Sequence, residues 1–149
     1  MKSRAQYCCA TWAAWEPRGN QVILQRLQAV SNKFFRVIYG LERMDSVRSI
    51  LKNHNILNIR QLYDFNVGQI MYKGKNNELP DPLKNLFETD PDLYNYFFRT
   101  ERIRLKQTEK SICVAGPRIW NSLPNSCIQE PNFKAFKVKL RGCILDKIT

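Results

Sequence analysis

Apolar side chains recur at intervals of three and four residues between Asn20 and Tyr39. This pattern limits the possible folds more than any other feature of the sequence. The side chains are Ile23, Leu27, Val30, Phe34, Val37 and, just beyond them, Leu41. This spacing places them on one face of an α-helix, because a helix turns once in about 3.6 residues. Asn20 is suited to cap the start of the helix and Gly40 to end it. The pattern predicts a long amphipathic helix that packs by its apolar face.

Shorter helical patterns follow along the chain. Asp45 or Ser46 is suited to cap one short helix and Asn58 to cap another, while Asn132 precedes a further apolar stripe. That stripe consists of Phe133, Phe136, Leu140, Cys143 and Ile144. No internal repeat or low-complexity run interrupts the sequence. We therefore predict a mainly α fold in which residues 1–149 form a single small helical domain.

The helical pattern is interrupted after Arg99. Here basic and apolar residues alternate, as in a strand with one solvated, basic face. The basic members of the alternation are Arg102, Arg104 and Lys106. Residues 112–114 are β-prone and residues 107–110 can form a turn, so the sequence predicts a short β-hairpin near residues 102–114. Gly116-Pro117 is then predicted to start a helical turn.

Positive charge is concentrated at the two ends of the chain. The 24 Lys and Arg residues outnumber the 13 Asp and Glu residues, and the net charge is +11. Residues 1–44 carry +5, residues 45–98 carry −1 and residues 99–149 carry +7. Positive charge also keeps proteins soluble, but clustered Lys and Arg gain by displacing counterions from a phosphate backbone. This clustering therefore favours a polyanionic partner.

The candidate nucleic-acid contacts are basic residues on the predicted elements. On the first helix they are Arg26, Lys33 and Arg36; around the hairpin Arg99, Arg102, Arg104, Lys106 and Lys110; on the last helix Lys134, Lys137 and Arg141. For the first helix, the alternative is that these side chains are only the solvated flanks of a packed seam.

The residue types that most enzymes and metal sites need are scarce in this sequence. The five cysteines show no Cys-x-x-Cys spacing and His54 is the only histidine, so no zinc site, disulfide scaffold or Cys–His nucleophile is predicted. The longest nearly apolar stretch, Tyr7–Trp15, is far shorter than the roughly 20 residues of a membrane-spanning helix. The sequence also has no pattern of a signal peptide. We expect an intracellular protein with no cofactor, no small-molecule substrate and no membrane partner.

Four short sequences then occur in a characteristic order. They are Y-C-C-A-T-W from Tyr7 to Trp12, L-Q-A-V-S-N-K-F-F-R-V-I-Y-G from Leu27 to Gly40, A-G-P-R-I-W-N-S-L-P from Ala115 to Pro124, and F-K-A-F-K-V-K-L from Phe133 to Leu140. This succession resembles the region downstream of the polymerase palm in reverse transcriptases of non-LTR (LINE, jockey-type) retrotransposons. The resemblance covers nearly all of the chain. Its most specific part is Trp-Asn-x-Leu-Pro preceded by Gly-Pro.

The resemblance implies a thumb and post-thumb module. Residues 1–44 would be a thumb-like helix segment, residues 45–98 a helical middle and residues 99–149 a basic tail. In such polymerases the thumb cradles the template–primer duplex and the tail helps to hold the element's RNA. The implied partners are therefore RNA, an RNA–DNA hybrid, and the polymerase palm of a parent protein. The signature residues Gly116, Pro117, Trp120, Asn121, Leu123 and Pro124 are expected to be structural.

The polymerase palm itself is missing from this sequence. Nucleotidyl transfer needs closely placed carboxylates that hold magnesium, and the family supplies them from an adjacent pair of aspartates in the palm. No adjacent aspartates occur here, and Asp90-Pro91-Asp92 is interpreted as a turn. We therefore expect no catalytic residue and no polymerisation by this chain alone.

Three interpretations follow from the sequence. The first is a nucleic-acid-binding part of a reverse transcriptase, which the charge and the resemblance favour. The second is a protein-docking or scaffold module that packs on a polymerase body, which the apolar stretch with Trp12 and Trp15 favours. The third is a non-functional relic of a mobile element.

Overall fold

A computed structural model of the chain describes residues 20–84, 87, 97–100 and 111–146. These residues form the helices α1 (Asn20–Tyr39), α2 (Val47–Asn53), α3 (Ile59–Lys75), α4 (Asp81–Lys84), α5 (Ile112–Asn121), α6 (Asn125–Ile128) and α7 (Phe133–Asp146). The described part of the chain contains no β-strand, and the prediction of a mainly α fold is confirmed. None of the described helices has both the length and the apolar character that a membrane crossing requires.

The C-terminal end of α1 and the start of α3 lie where the local sequence predicts them. Gly40 follows α1 with a φ of +60°, a conformation that suits glycine. The Leu41 N–H donates to the Arg36 carbonyl at 2.9 Å, which is the longer hydrogen bond of a Schellman motif. Asn58 caps α3 in a capping box, in which the Asn58 and Gln61 side chains each accept from the other's backbone N–H.

The core forms where α3 packs against α5 and α7. Aromatic rings connect the three helices: the centroid of Trp120 lies 5.8 Å from that of Phe136, and the centroid of Phe136 lies 4.4 Å from that of Tyr72. The Tyr72 hydroxyl donates to the Pro131 carbonyl at 2.6 Å, so its polar end is satisfied. This core fixes the position of α3, on which α1 rests.

Glycines allow α3 to approach both of its main neighbours closely. A Cβ on Gly68 would lie 2.9 Å from Leu140 Cδ2, and a Cβ on Gly116 would lie 2.6 Å from Met71 Sδ. Real Cβ atoms do not approach side chains so closely, because interiors are packed to crystal-like density. An alanine at either position would therefore force the Leu140 or the Met71 side chain to move.

The predicted hairpin is wrong in its second strand. Residues 112–114 lie in the first turn of α5, while residues 102–110, which carry the other strand and the turn, lie outside the described residues. Val114, Pro117 and Trp120 are buried at a spacing of three residues. Packing of this helical face against α3 outweighs the β propensity of Ile112 and Val114. The prediction that Gly116-Pro117 starts the helix is also wrong, since both residues lie inside it.

The long helix α1 packs on the domain through polar side chains. Gln28, Asn32 and Arg36 are four residues apart and face α2 and α3. Gln28 Oε1 accepts from the Ile59 N–H at 2.9 Å, and Gln28 Nε2 donates to Asn32 Oδ1 at 2.8 Å. Because Ile59 is the first residue of α3, its N–H has no partner within that helix. Four residues of the predicted apolar stripe consequently lie on the outside of the domain: Leu27, Val30, Phe34 and Val37.

Candidate nucleic-acid interface

A groove of about 520 Å³ lies between α1, α2, the start of α3 and the end of α7. Its lining residues are Gln28, Asn32, Arg36, Ser46, Val47, Arg48, Leu51, Lys52, Ile56, Asn58, Gln61 and Leu145. Three of them carry positive charge, and none is an Asp or a Glu. The groove is therefore an electropositive concavity, which attracts anions.

Two neighbouring helices supply the three cationic side chains. Val47 and Leu51 are buried and anchor the short helix α2. Arg48 directly follows Val47, and Lys52 directly follows Leu51. Because Arg48 and Lys52 are four residues apart, they lie on one side of α2. Arg36 comes from the last turn of α1. The arrangement brings two exposed cations and one half-buried guanidinium to the same groove.

Arg36 is only partly satisfied by the protein. Its Nη2 donates to the Asp45 carbonyl at 3.3 Å, whereas its Nε is buried and makes no hydrogen bond within the described part of the chain. A buried donor without a partner destabilises a fold by about 1–3 kcal/mol. Phosphate and carboxylate oxygens are the acceptors that fit the planar fork of an arginine best. The Arg36 guanidinium therefore suits an anionic ligand.

The three candidate residues predicted on α1 do not share one environment. Arg26 and Lys33 are exposed and do not line the groove, whereas Arg36 does. The structure therefore brings Arg36 together with residues of α2 rather than with its predicted companions.

On α7, the predicted basic residues lie beside an aromatic ring. Lys134 and Arg141 are exposed, while the Nζ of the half-buried Lys137 lies 4.2 Å from the centroid of the Phe133 ring. Lys73 of α3 approaches the same ring, with its Nζ 5.8 Å from the centroid. Cation–π attraction holds Lys137 against the ring, which leaves it less free to reach a ligand than its neighbours.

The remaining predicted contacts belong to the segment after the core residue Phe98. Arg99 is exposed. Four of the predicted residues lie outside the described residues: Arg102, Arg104, Lys106 and Lys110.

The sequence analysis missed two of the three cations in the groove. Arg48 and Lys52 belong to residues 45–98, whose near-neutral net charge drew no attention to them. Their spacing of four residues on a short amphipathic helix was the available signal. Lys75 adds to the net charge of the chain but has a structural role. Its Nζ donates to the Ile128 carbonyl at 2.6 Å, and burial lowers its pKa.

The signature residues lie in and around the core. Gly116, Pro117, Trp120 and Leu123 are buried, and Pro124 is exposed and precedes α6. The Asn121 side chain makes two hydrogen bonds to the main chain of Phe98. Its Nδ2 donates to the Phe98 carbonyl at 2.9 Å, and its Oδ1 accepts from the Phe98 N–H at 3.2 Å. These contacts hold the start of the basic segment against α5.

Comparisons of the chain with protein-family models, with curated proteins and with solved structures find no match. Within the described ranges, no three His, Cys, Asp or Glu side chains are grouped so that they could hold a metal ion. The function is therefore inferred from the groove and from the order of the sequence motifs.

Proposed function

We propose that the chain is a non-catalytic, C-terminal part of a non-LTR retrotransposon reverse transcriptase and that it binds RNA or an RNA–DNA template–primer. The observation that carries the proposal is the groove whose lining brings Arg36, Arg48 and Lys52 together. The ordered motifs from Tyr7 to Leu140 supply the link to a reverse transcriptase.

The groove has the features that a phosphodiester backbone requires. Its volume of about 520 Å³ lies within the range of roughly 300–1,000 Å³ that is usual for ligand sites. Arg36 offers a planar set of donors, while the exposed Arg48 and Lys52 add positive charge to the groove. Arginine and lysine contacts to phosphate position a nucleic acid without reading its bases. The proposed role is thus to hold the backbone of the element's RNA or of the duplex.

The chemical step of polymerisation is assigned to a parent protein. Magnesium would be bound by the carboxylates of its palm, and no step is assigned to a residue of this chain. The proposal places the chain inside the cell, where the template RNA is found.

A binding titration with matched variants tests the proposal. A labelled RNA hairpin and an RNA–DNA hybrid are titrated with the chain at several salt concentrations, and anisotropy reports binding. The groove variant replaces Arg36, Arg48 and Lys52 with glutamine. The control variant makes the same change in Arg43, Arg60 and Lys73, which are exposed, do not line the groove and are not predicted contacts, so both variants lose three charges. We expect the parent to bind with a steep salt dependence, and the groove variant to lose more affinity than the control.

The salt dependence shows how many phosphate contacts the groove makes. Each contact that is lost lowers the slope of log K against log salt by about 0.7–0.9. A conservative variant, Arg36→Lys, keeps the charge but removes the fork, so we expect it to weaken binding without changing the slope. Equal losses in the groove and control variants would mean that affinity follows net charge alone. Unchanged binding in the groove variant would remove the groove from the interface.

A further inference from the structure

Among the residues that the structure describes, the outer face of α1 carries exposed apolar side chains. The exposed fractions of its side chains are 39% for Leu27, 63% for Val30, 61% for Phe34, 83% for Val37 and 55% for Ile38, and Met44 just beyond the helix is 92% exposed. We call this set the α1 apolar face. Apolar side chains exposed singly are ordinary, but a contiguous group marks an interaction surface.

The shape of the α1 apolar face suits a partner helix. From Leu27 to Ile38 it spans roughly 16 Å along the helix axis, at about 1.5 Å per residue. Leu27, Val30, Phe34 and Val37 recur at intervals of three and four residues, and Ile38 lies four residues after Phe34, so these five form one stripe along the helix. A second amphipathic helix presents a stripe of the same geometry. The sugar–phosphate backbone of a nucleic acid is polar and charged, and it matches the groove rather than this face.

Along α1 itself, the charged residues that border the α1 apolar face are all positive. Arg26 and Lys33 are exposed and precede Leu27 and Phe34, so each lies about 100° around the helix from an apolar neighbour. The sequence of α1 contains no Asp and no Glu. A second copy of α1 would therefore bring no carboxylate to this border. Acidic side chains on a partner would complement it.

We propose that the α1 apolar face docks an amphipathic helix of another protein, whose apolar stripe is flanked by Asp or Glu. Apolar contacts with residues such as Phe34 and Val37 provide the affinity, and the basic border sets the choice of partner and its register. Because α1 turns its polar side to the domain, docking requires no rearrangement of the core. The surface is separate from the groove, so this proposal does not depend on nucleic-acid binding.

Two synthetic helical peptides serve as probes of the face. Both carry a leucine stripe at helical spacing; one has Glu along the border of the stripe and the other has Lys at the same positions. Binding of each labelled peptide to the full chain is measured by anisotropy. We expect the Glu peptide to bind about fivefold more tightly than the Lys peptide, because each exposed ion pair contributes modestly. The charge-reversed variant Arg26→Glu/Lys33→Glu should prefer the Lys peptide.

Two variants distinguish binding at the α1 apolar face from non-specific hydrophobic binding. Phe34→Ser/Val37→Ser should weaken binding of the Glu peptide by about tenfold or more, because two exposed anchors are lost. Val138→Ser changes a valine that is 74% exposed on α7, and it should leave binding unchanged. Both variants alter exposed positions, so the fold should persist, and circular dichroism verifies it.

Three outcomes would overturn the proposal. The first is that neither peptide binds the parent chain. The second is that both peptides bind equally, or that Phe34→Ser/Val37→Ser has no more effect than Val138→Ser. The third is that sedimentation shows a dimer of the parent that Phe34→Ser/Val37→Ser abolishes, since the occupant would then be a second copy. The proposal that RNA binds in the groove does not depend on any of these three outcomes.

Discussion

Asn121 joins two parts of the chain that are 23 residues apart, and replacing it with alanine should destabilise the fold. The Asn121 amide bonds to both the N–H and the carbonyl of Phe98, at 3.2 and 2.9 Å. Phe98 is buried, and its ring centroid lies 5.9 Å from that of Trp120. One side chain therefore satisfies two backbone groups at the point where the chain enters its basic segment.

The size of the effect follows from the number of groups left unpaired. A buried donor or acceptor that loses its partner destabilises a protein by about 1–3 kcal/mol. Asn121 is half-buried, so water can reach part of the site, and the lower end of that range applies to each bond. We expect Asn121→Ala to lower the free energy of unfolding by about 2–3 kcal/mol. With a urea m-value of about 2 kcal/mol/M, the midpoint should fall by about 1–1.5 M.

Urea unfolding, followed by the helical circular dichroism signal, measures this change. A second variant, Asn121→Asp, keeps an acceptor for the Phe98 N–H but replaces the donor with an oxygen that faces the Phe98 carbonyl. It should be at least as destabilised as Asn121→Ala. The control is Asn125→Ala, an exposed asparagine on α6, which should stay within about 0.5 kcal/mol of the parent.

The reasoning fails if Asn121→Ala unfolds at the parental urea midpoint, because the two bonds would then contribute nothing. A parental midpoint for Asn121→Asp alone would mean that the bond to the Phe98 carbonyl is not needed. A changed m-value would point instead to an altered unfolded state or to a loss of two-state behaviour.

Three further predictions concern the core, a buried thiol and the basic segment. Trp120→Ala should lower the free energy of unfolding by about 3–5 kcal/mol, since the side chain is fully buried; a parental melting temperature would contradict this. Burial, and next the neighbouring Cys143, raises the pKa of the Cys127 thiol from 9.0 to about 12. Cys127 should therefore resist alkylation at pH 8 until the chain unfolds, and its contribution to stability should be lost as the pH rises from 9 to 12, which melting curves of the parent and of Cys127→Ala would reveal. Alanine at all three of Arg102, Arg104 and Lys106 should weaken RNA binding and flatten its salt dependence without unfolding the domain; unchanged affinity would exclude them from the interface.

Local sequence signals predicted the end of α1 and the start of α3. Gly40 ends α1 because the backbone there has a positive φ, and Asn58 starts α3 because its side chain pairs with Gln61 over a few residues. Interactions of this kind involve only near neighbours in the chain, so they can be predicted without knowledge of the fold. The mainly α architecture follows from them.

Where tertiary packing competes with local preference, the sequence was a weaker guide. Ile112 and Val114 are β-branched, and their propensity suggested a strand. In the fold, Val114 lies on the same buried helical face as Trp120, against α3. The free energy gained by burying that face exceeds the small propensity of two residues, and only the partner helix makes this burial available.

The orientation of α1 and the composition of the groove were decided by the tertiary structure alone. The periodicity of α1 identified an apolar face but not what lies against it. In the fold, the Ile59 N–H at the start of α3 donates to Gln28 on the opposite, polar face. Arg36, Arg48 and Lys52 belong to two helices whose relative placement no local pattern encodes. The sequence by itself thus determined the helices and the surplus of positive charge. Which charges share a groove, and which apolar residues stay exposed, depends on contacts between residues that are distant along the chain.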